Sequence, residues 1–326
     1  MLRQFKGIKN AKAVNGGIPG VVRYDPDVSE TSFETIDKLL VQYQLLAPPQ
    51  GSGGGSKSKL VEKEVKYSDG AGGELVGYCI YKHTESKSKR PGLLVFPGPY
   101  GDGGGKNERA VAMEYALKGM VVFLPDYYPT RNSENNYTET LAAIVQYFPF
   151  LKNSKKAQAI AKLGYDQLAQ MSFVDPDKIS AIGFCFGGAM TLNLARSGAK
   201  LVVAASLHGE YPHLDTSLGG GDGTTGTYNT QHFVQMVGSA DPFIPKEGRD
   251  AWVKELQSHT GKDSRFKYDF TVYDGAVHAF SIKYSHNFLD VSVGMRLVGV
   301  AMRVYHVYKH QNKKGISGAP KARTRG

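Results

Sequence analysis

Cysteine is scarce in this sequence, which has only Cys79 and Cys185 among its 326 residues. Two cysteines are too few for a disulfide framework, so the small secreted domains that depend on one are excluded. A reduced compartment is favoured, although a single bridge remains allowed. The length and the 41% hydrophobic content are enough to bury a sizeable core, and they favour one α/β domain with tails over two domains.

Long apolar runs are also absent. A membrane-spanning helix needs about 20 apolar residues, whereas the longest apolar stretches, such as residues 120–124 (MVVFL), have the length of a buried strand. The sequence therefore predicts no membrane span.

Acidic residues are missing from both ends of the chain. Residues 1–24 and 309–326 together carry eleven Lys and Arg side chains and no Asp or Glu. Without these eleven, 29 of the 40 bases remain against 30 acids, so the net charge of +10 belongs to the ends. No basic face for sequence-specific nucleic-acid binding is indicated in the middle of the chain. The ends are either solvated tails or contacts for RNA, an acidic protein partner or a membrane surface.

The first nine residues are basic, and Leu2, Phe5 and Ile8 lie at helical spacing among them. This pattern resembles a short mitochondrial presequence. A mitochondrial location is therefore expected, with the cytoplasm as the alternative.

A short helix and a linker follow. Thr31-Ser32-Phe33-Glu34 reads as a capping box, which predicts a helix start, and Pro48 predicts that the helix has ended. Residues 50–59 are rich in Gly and Ser and predict a flexible linker. The chain is thus divided into a basic N-terminal extension (1–59), a domain (60–309) and a basic flexible tail (310–326).

The domain alternates strand-type and helix-type segments. Residues 61–67 and 75–81 predict an opening hairpin across a Gly-rich turn. Helix-type segments such as 108–117 and 246–258 lie between the later strands, and this alternation predicts a mostly parallel sheet with helices on both faces. The expected strands of that sheet are 92–96, 121–124, 178–182, 201–207, 233–237 and 266–272.

An apolar run ends at residue 182 and passes through Gly183-x-Cys185-x-Gly187-Gly188 into a helix-like segment. This is the pattern of a nucleophile elbow, in which small residues make room for a strained turn that lifts the nucleophile above a strand end. A cysteine there would react as a thiolate. The alternative is a buried structural cysteine in a Gly-rich turn.

Asp241 and His278 follow two further predicted strands. The order Cys, Asp, His is the nucleophile, acid, base order of α/β-hydrolases. His278 would take the thiol proton and return it to the leaving group, while Asp241 would hold the imidazole tautomer. Each residue alone also fits an ordinary surface turn.

The domain contains seven short motifs: YSDG at 67–70, LVGY at 75–78, LPDYY at 124–128, VDPDKI at 174–179, GFCFGG at 183–188, GSAD at 238–241 and GAVHAF at 275–280. With them the domain resembles the dienelactone hydrolase family of the α/β-hydrolase superfamily, whose members include carboxymethylenebutenolidases. The resemblance implies the α/β-hydrolase fold and a triad of Cys185, Asp241 and His278. It further implies hydrolysis of a small ester, lactone or thioester through a thioester intermediate, with no metal or organic cofactor.

One loop departs from the family pattern. Members commonly carry an acid after the first parallel strand, near the thiol, where this chain has Gly98. The next residue, Pro99, has no N–H to serve as an oxyanion donor beside the N–H of Phe186. A shift of one or two residues would instead bring the N–H of Tyr100 into the oxyanion hole and Asp102 near the thiol.

The sequence patterns that suggest a role for other residues are weaker. Tyr128, Arg131 and Lys283 are candidates for binding a substrate carboxylate. The segment 208–213, which contains two histidines and an acid, is expected to shape the pocket wall rather than bind metal. A helix-like stretch at 288–308 is expected to pack on the sheet.

Two functions remain open at this point. The first is an active cysteine-dependent hydrolase, indicated by Cys185, Asp241 and His278. The second is a weakly active or inactive relative that acts as a binding or assembly subunit, indicated by Gly98, Pro99 and the basic tails.

Overall fold

The computed structural model of the chain describes residues 26–47, 59–99, 105–127, 154–212, 227–244, 246–260 and 266–281. Several regions named in the sequence analysis lie outside these ranges: the first nine residues, both basic ends, most of the linker and the 288–308 stretch. The candidate residues Tyr100, Asp102, Tyr128, Arg131 and Lys283 lie outside them as well. Within the described ranges, no helix is both long and apolar enough to cross a membrane.

The described elements alternate along the chain much as the sequence predicts. The helices are α1 (Pro26–Gln42), α2 (Lys106–Leu117), α3 (Ser154–Ala169), α4 (Phe186–Arg196) and α5 (Lys246–Thr260). The strands are β1 (Leu60–Ser68), β2 (Glu74–Lys82), β3 (Arg90–Phe96), β4 (Val121–Leu124), β5 (Val174–Phe184), β6 (Ser197–Leu207), β7 (Thr227–Gly238) and β8 (Lys267–Tyr273).

Eight strands of the described chain form one sheet in the order β1-β2-β4-β3-β5-β6-β7-β8. β1 pairs antiparallel with β2, and β2 with β4, while the pairs from β4 through β8 are parallel. The predicted hairpin and mostly parallel sheet are confirmed, and with them the α/β-hydrolase fold.

Apolar side chains cover both faces of the sheet because successive strand residues point to opposite sides. One buried cluster joins the sheet to α3, α4 and α5 and includes Leu192 and Trp252. The other joins the opposite face to α1 and α2 and includes Ile36 and Val111. Helices on both faces, as predicted, leave the carboxyl edge of the strands as the place where loops gather.

The start of α1 differs from the prediction. The helix begins at Pro26 rather than at the Thr31-Ser32 capping box, so Thr31 and Ser32 lie inside it. Proline suits the first position of a helix because its missing N–H would have had no partner there. Inside the helix, Thr35 Oγ1 donates to the carbonyl of Thr31 at 2.9 Å, and Ser32 is fully buried.

Candidate active site

Four neighbouring parallel strands end at one level of the sheet. Phe184 at the end of β5 lies opposite Leu207 at the end of β6, and Leu207 lies opposite Met236 in β7. Gly238, at the end of β7, pairs with Tyr273 at the end of β8. The loops after these strands therefore meet over one edge, and they carry Cys185, His208, Asp241 and His278.

Cys185 occupies a strained turn between β5 and α4. Its backbone has φ 53° and ψ −118°, a conformation that is costly for any residue with a Cβ and is typical of functional sites. Cys185 is partly exposed, whereas Cys79 is buried. The side chain at the elbow is thus accessible, unlike that of a cysteine sealed in the core.

The glycines around Cys185 permit close backbone contacts. A Cβ on Gly183 would lie 2.0 Å from the carbonyl oxygen of Gly187, and one on Gly187 would lie 2.0 Å from that of Phe96. A Cβ on Gly188 would lie 2.7 Å from the Cα of Gly209. Since no side chain fits at these distances, the three glycines of the motif are required by the geometry of the turn.

Asp241 and His278 form a buried hydrogen bond. The Nδ1 of His278 lies 2.7 Å from the Oδ2 of Asp241, and the two side chains are 5% and 0% exposed. The other oxygen of Asp241 accepts the backbone N–H of Phe243 at 2.9 Å. A carboxylate at Nδ1 fixes the ring tautomer, so Nε2 is the nitrogen available to a reacting group.

The Nε2 of His278 is buried and has no hydrogen-bond partner of normal geometry among the described residues. Burial lowers the pKa of His278, but the charges of Cys185 and Asp241 outweigh burial and raise the pKa to about 10. The sulfur of Cys185 is therefore close enough to act electrostatically on the ring. Catalytic hydrogen bonds are often long or poorly aligned before substrate binds.

Glu210 adds a second carboxyl group to the same site. Burial raises its pKa to about 7; the charge of His278 opposes this increase and that of Asp241 adds to it. The sequence places Glu210 in the predicted pocket wall. Its electrostatic interaction with His278 arises only because two loops meet in the folded protein, so no local sequence pattern could have predicted it.

The loop after β3 is held by two side chains. The N–H of Gly98 donates to the Oε1 of Glu108 at 3.3 Å, and the hydroxyl of Tyr127 donates to the carbonyl of Pro97 at 2.8 Å. Glu108, in the first turn of α2, is buried. A buried acid thus reaches the loop from a position that the sequence motif did not indicate.

Of the two oxyanion donors expected from the sequence, the structure describes only Phe186. Phe186 is the first residue of α4, where backbone N–H groups point out of the helix end. Tyr100 lies outside the described residues. Among the residues that are described, no three His, Cys, Asp or Glu side chains are grouped so that they could hold a metal ion.

Comparisons with known proteins agree with this architecture. Residues 77–302 match the dienelactone hydrolase family. A curated relative, the probable 2-oxo-3-(5-oxofuran-2-ylidene)propanoate lactonase of Bradyrhizobium sp, is 26% identical over 193 residues, which span 58% of this chain and 73% of the relative.

Two solved structures share the fold. The dienelactone hydrolase-like promiscuous phosphotriesterase from metagenomic libraries has a TM-score of 0.57 at 23% identity, covering 75% of this chain and 98% of that one. The putative dienelactone hydrolase from Klebsiella pneumoniae has a TM-score of 0.56 at 17% identity, covering 78% and 99%.

Proposed function

The chain belongs to the dienelactone hydrolase family, and we propose that it hydrolyses a small ester, lactone or thioester with Cys185 as the nucleophile. Membership of the family supports a hydrolase that acts on esters or lactones. The observation that carries the finer proposal is the buried 2.7 Å hydrogen bond between Asp241 and His278, at the sheet edge where Cys185 stands in its strained turn.

In the proposed first step, the thiol proton of Cys185 has already moved to the Nε2 of His278, and the thiolate Sγ attacks the carbonyl carbon. The carbonyl oxygen becomes an oxyanion, which the backbone N–H groups of Phe186 and Tyr100 are proposed to stabilise. Collapse of this intermediate breaks the bond to the alkoxide or thiolate leaving group, which takes the proton from Nε2. Asp241 keeps the ring oriented and favours its charged form.

In the second step, water replaces the leaving group. His278 takes a proton from the water, and the resulting hydroxide attacks the thioester carbon. The carboxylic acid is released and the proton returns to the sulfur of Cys185. A lactone would give one ring-opened hydroxy acid, because the alkoxide released from its carbonyl carbon stays tethered to the acyl group through the carbon chain of the former ring.

The polar residues Tyr128, Arg131 and Lys283 are proposed to bind a carboxylate of the substrate. The name of the Bradyrhizobium relative describes a lactone that carries a propanoate group, which supports an anionic substrate here. A mitochondrial location and a protein partner for the basic ends remain proposals from the sequence.

Replacing Cys185 tests the proposed function. We expect the wild type to hydrolyse p-nitrophenyl acetate and Cys185→Ala to lose about 10³-fold or more in kcat, since truncation removes the nucleophile. Cys79→Ala is the matched control, because Cys79 is buried, and it should keep at least about half of the activity. Equal rates for the wild type and Cys185→Ala would contradict the proposal.

A non-catalytic binding subunit is the second candidate function. The observation in its favour is the loop after β3, where the N–H of Gly98 is already donated to Glu108 and Pro99 has no N–H to offer. Absence of Cys185-dependent turnover, together with capture of a partner that requires the basic ends, would support this candidate over the hydrolase.

A further inference from the structure

His208 is a buried histidine that the proposed mechanism does not use. It directly follows β6, its exposed fraction is 0%, and its backbone has φ 42°. A non-glycine residue at positive φ is uncommon. Its own N–H donates to the carbonyl of Met236 at 2.8 Å, which fixes the backbone at this point.

The ring of His208 contacts both halves of the site. Its Nδ1 lies 3.1 Å from the backbone N of Cys185, whose N–H is also 3.1 Å from the carbonyl of Leu207. Its Nε2 lies 2.8 Å from the Oγ of Ser281, which is 73 residues away in sequence. Ser281 stands three positions after His278.

These contacts assign the tautomer of His208. A backbone N–H can only donate, so Nδ1 must be the acceptor, and in the neutral ring the proton is then on Nε2 and is donated to Ser281. Burial and the nearby charge of His278 lower the pKa of His208 well below its ordinary value, which agrees with a neutral ring.

We propose that His208 is a positioning residue whose neutral ring couples the backbone of the nucleophile Cys185 to the loop that carries His278. The inference rests on the proposed cysteine mechanism. His208 is fully buried, and its ring nitrogens contact the backbone N–H of Cys185 and the hydroxyl of Ser281; it therefore acts by holding two separate loops in one arrangement.

Two physical reasons favour this role. The positive-φ backbone of Cys185 is strained, and an acceptor at its N–H helps to hold that conformation. The ring of His208 also fills the space beside the base, with its centroid 5.0 Å from that of His278 and 5.2 Å from that of Phe280. A cationic side chain in this place would repel a protonated His278.

The test compares His208→Asn, Ser281→Ala and the double variant. Asn tolerates positive φ, and its Oδ1 can replace Nδ1 as the acceptor for Cys185, but it is too short to reach Ser281. Each single variant should therefore lose the hydrogen bond between residues 208 and 281. We expect kcat for p-nitrophenyl acetate to fall about 10-fold with KM unchanged. The double variant should equal either single one, since both remove one interaction.

Alkylation of Cys185 by iodoacetamide is the second readout, and it needs no turnover. Poorer placement of His278 should move the midpoint of the alkylation rate to higher pH, by the same amount in all three variants. Cys79 will not contribute, because burial raises its pKa to about 12. Ser206→Ala is the matched control: Ser206 is also buried and its hydroxyl has no described partner, so both readouts should stay as in the wild type.

Additive losses in the double variant, or an unshifted alkylation midpoint in His208→Asn and Ser281→Ala, would overturn the inference. If the wild type shows no Cys185-dependent turnover, the proposed function fails, yet the alkylation midpoints still decide whether His208 couples the two loops.

Discussion

His278 is buried, and yet its environment favours the charged ring. Burial lowers its pKa, while the charges of Cys185 and Asp241 raise it to about 10. A change of one pKa unit corresponds to about 1.4 kcal/mol, so the two neighbours outweigh a large desolvation cost. A positive ring beside the sulfur stabilises a thiolate, and Asp241 is the fixed part of this arrangement because both its oxygens are hydrogen-bonded.

Asp241→Asn should therefore impair the reaction without unfolding the protein. The amide removes the negative charge and can present an N–H to Nδ1, which favours the wrong tautomer, so we expect kcat to fall about 10²–10⁴-fold. The measurement is kcat for p-nitrophenyl acetate across pH. Asp274→Asn, at an exposed position, is the control and should stay within about twofold; an equal loss there would argue against a specific role of Asp241.

At the scale of elements, α1 completes the core although it precedes the segment matched to the family. Ile36 and Leu40 are fully buried in the cluster on one face of the sheet. The hydroxyl of Ser32 donates to that of Tyr273 at 3.0 Å, and the ring of Phe33 lies 6.2 Å from that of Phe184. α1 thus packs beneath the ends of β5 and β8, the strands that lead to Cys185 and His278.

Truncating the buried face of α1 should destabilise the whole domain. We expect Ile36→Ala and Leu40→Ala each to lower the free energy of unfolding by about 2–5 kcal/mol, because each leaves a cavity in the core. Urea unfolding followed by circular dichroism measures this. Lys38→Ala, with a side chain 78% exposed, should change stability by less than about 0.5 kcal/mol. If the three variants behaved alike, α1 would not be part of the core.

At the scale of the whole molecule, two groups of the site make stability fall as pH rises. The pKa of Glu210 is raised from 4.5 to about 7, so between these values the folded state keeps a proton that the unfolded chain releases. The pKa of His278 is raised from 6.5 to about 10, which extends the same effect to higher pH. Since the folded state binds more protons throughout, stability declines across both windows.

Glu210→Gln should remove the loss of stability in the lower of these two pH windows. Above about pH 7 we expect the variant to be more stable than the wild type by about 1–2 kcal/mol, less than the full pKa difference implies because the residue is partly exposed. Near about pH 4 the two should be equally stable. Unfolding by urea at both pH values checks this, with Glu85→Gln, 97% exposed, as the control. A gain that did not depend on pH would contradict the prediction.

Local patterns in the sequence were enough to predict the tight turn at Cys185 and the strands of the sheet. The run before Cys185 predicts a strand because it is apolar and short, and the glycines after it predict a tight turn because only glycine fits there. The hairpin and the order of Cys185, Asp241 and His278 along the chain follow from patterns of the same kind. The predicted start of α1 was wrong because the sequence of a capping box is also compatible with the interior of a longer helix.

The sequence by itself thus determined the fold class, the family and the residues to examine at the strand ends. Only the tertiary structure decided which side chains meet. The contacts from His208 to Cys185 and Ser281, and that from Glu108 to Gly98, depend on the strand order and on how the loops and helices pack around it. A local sequence pattern reports backbone preference and burial, whereas these contacts join loops that come together only when the sheet has formed.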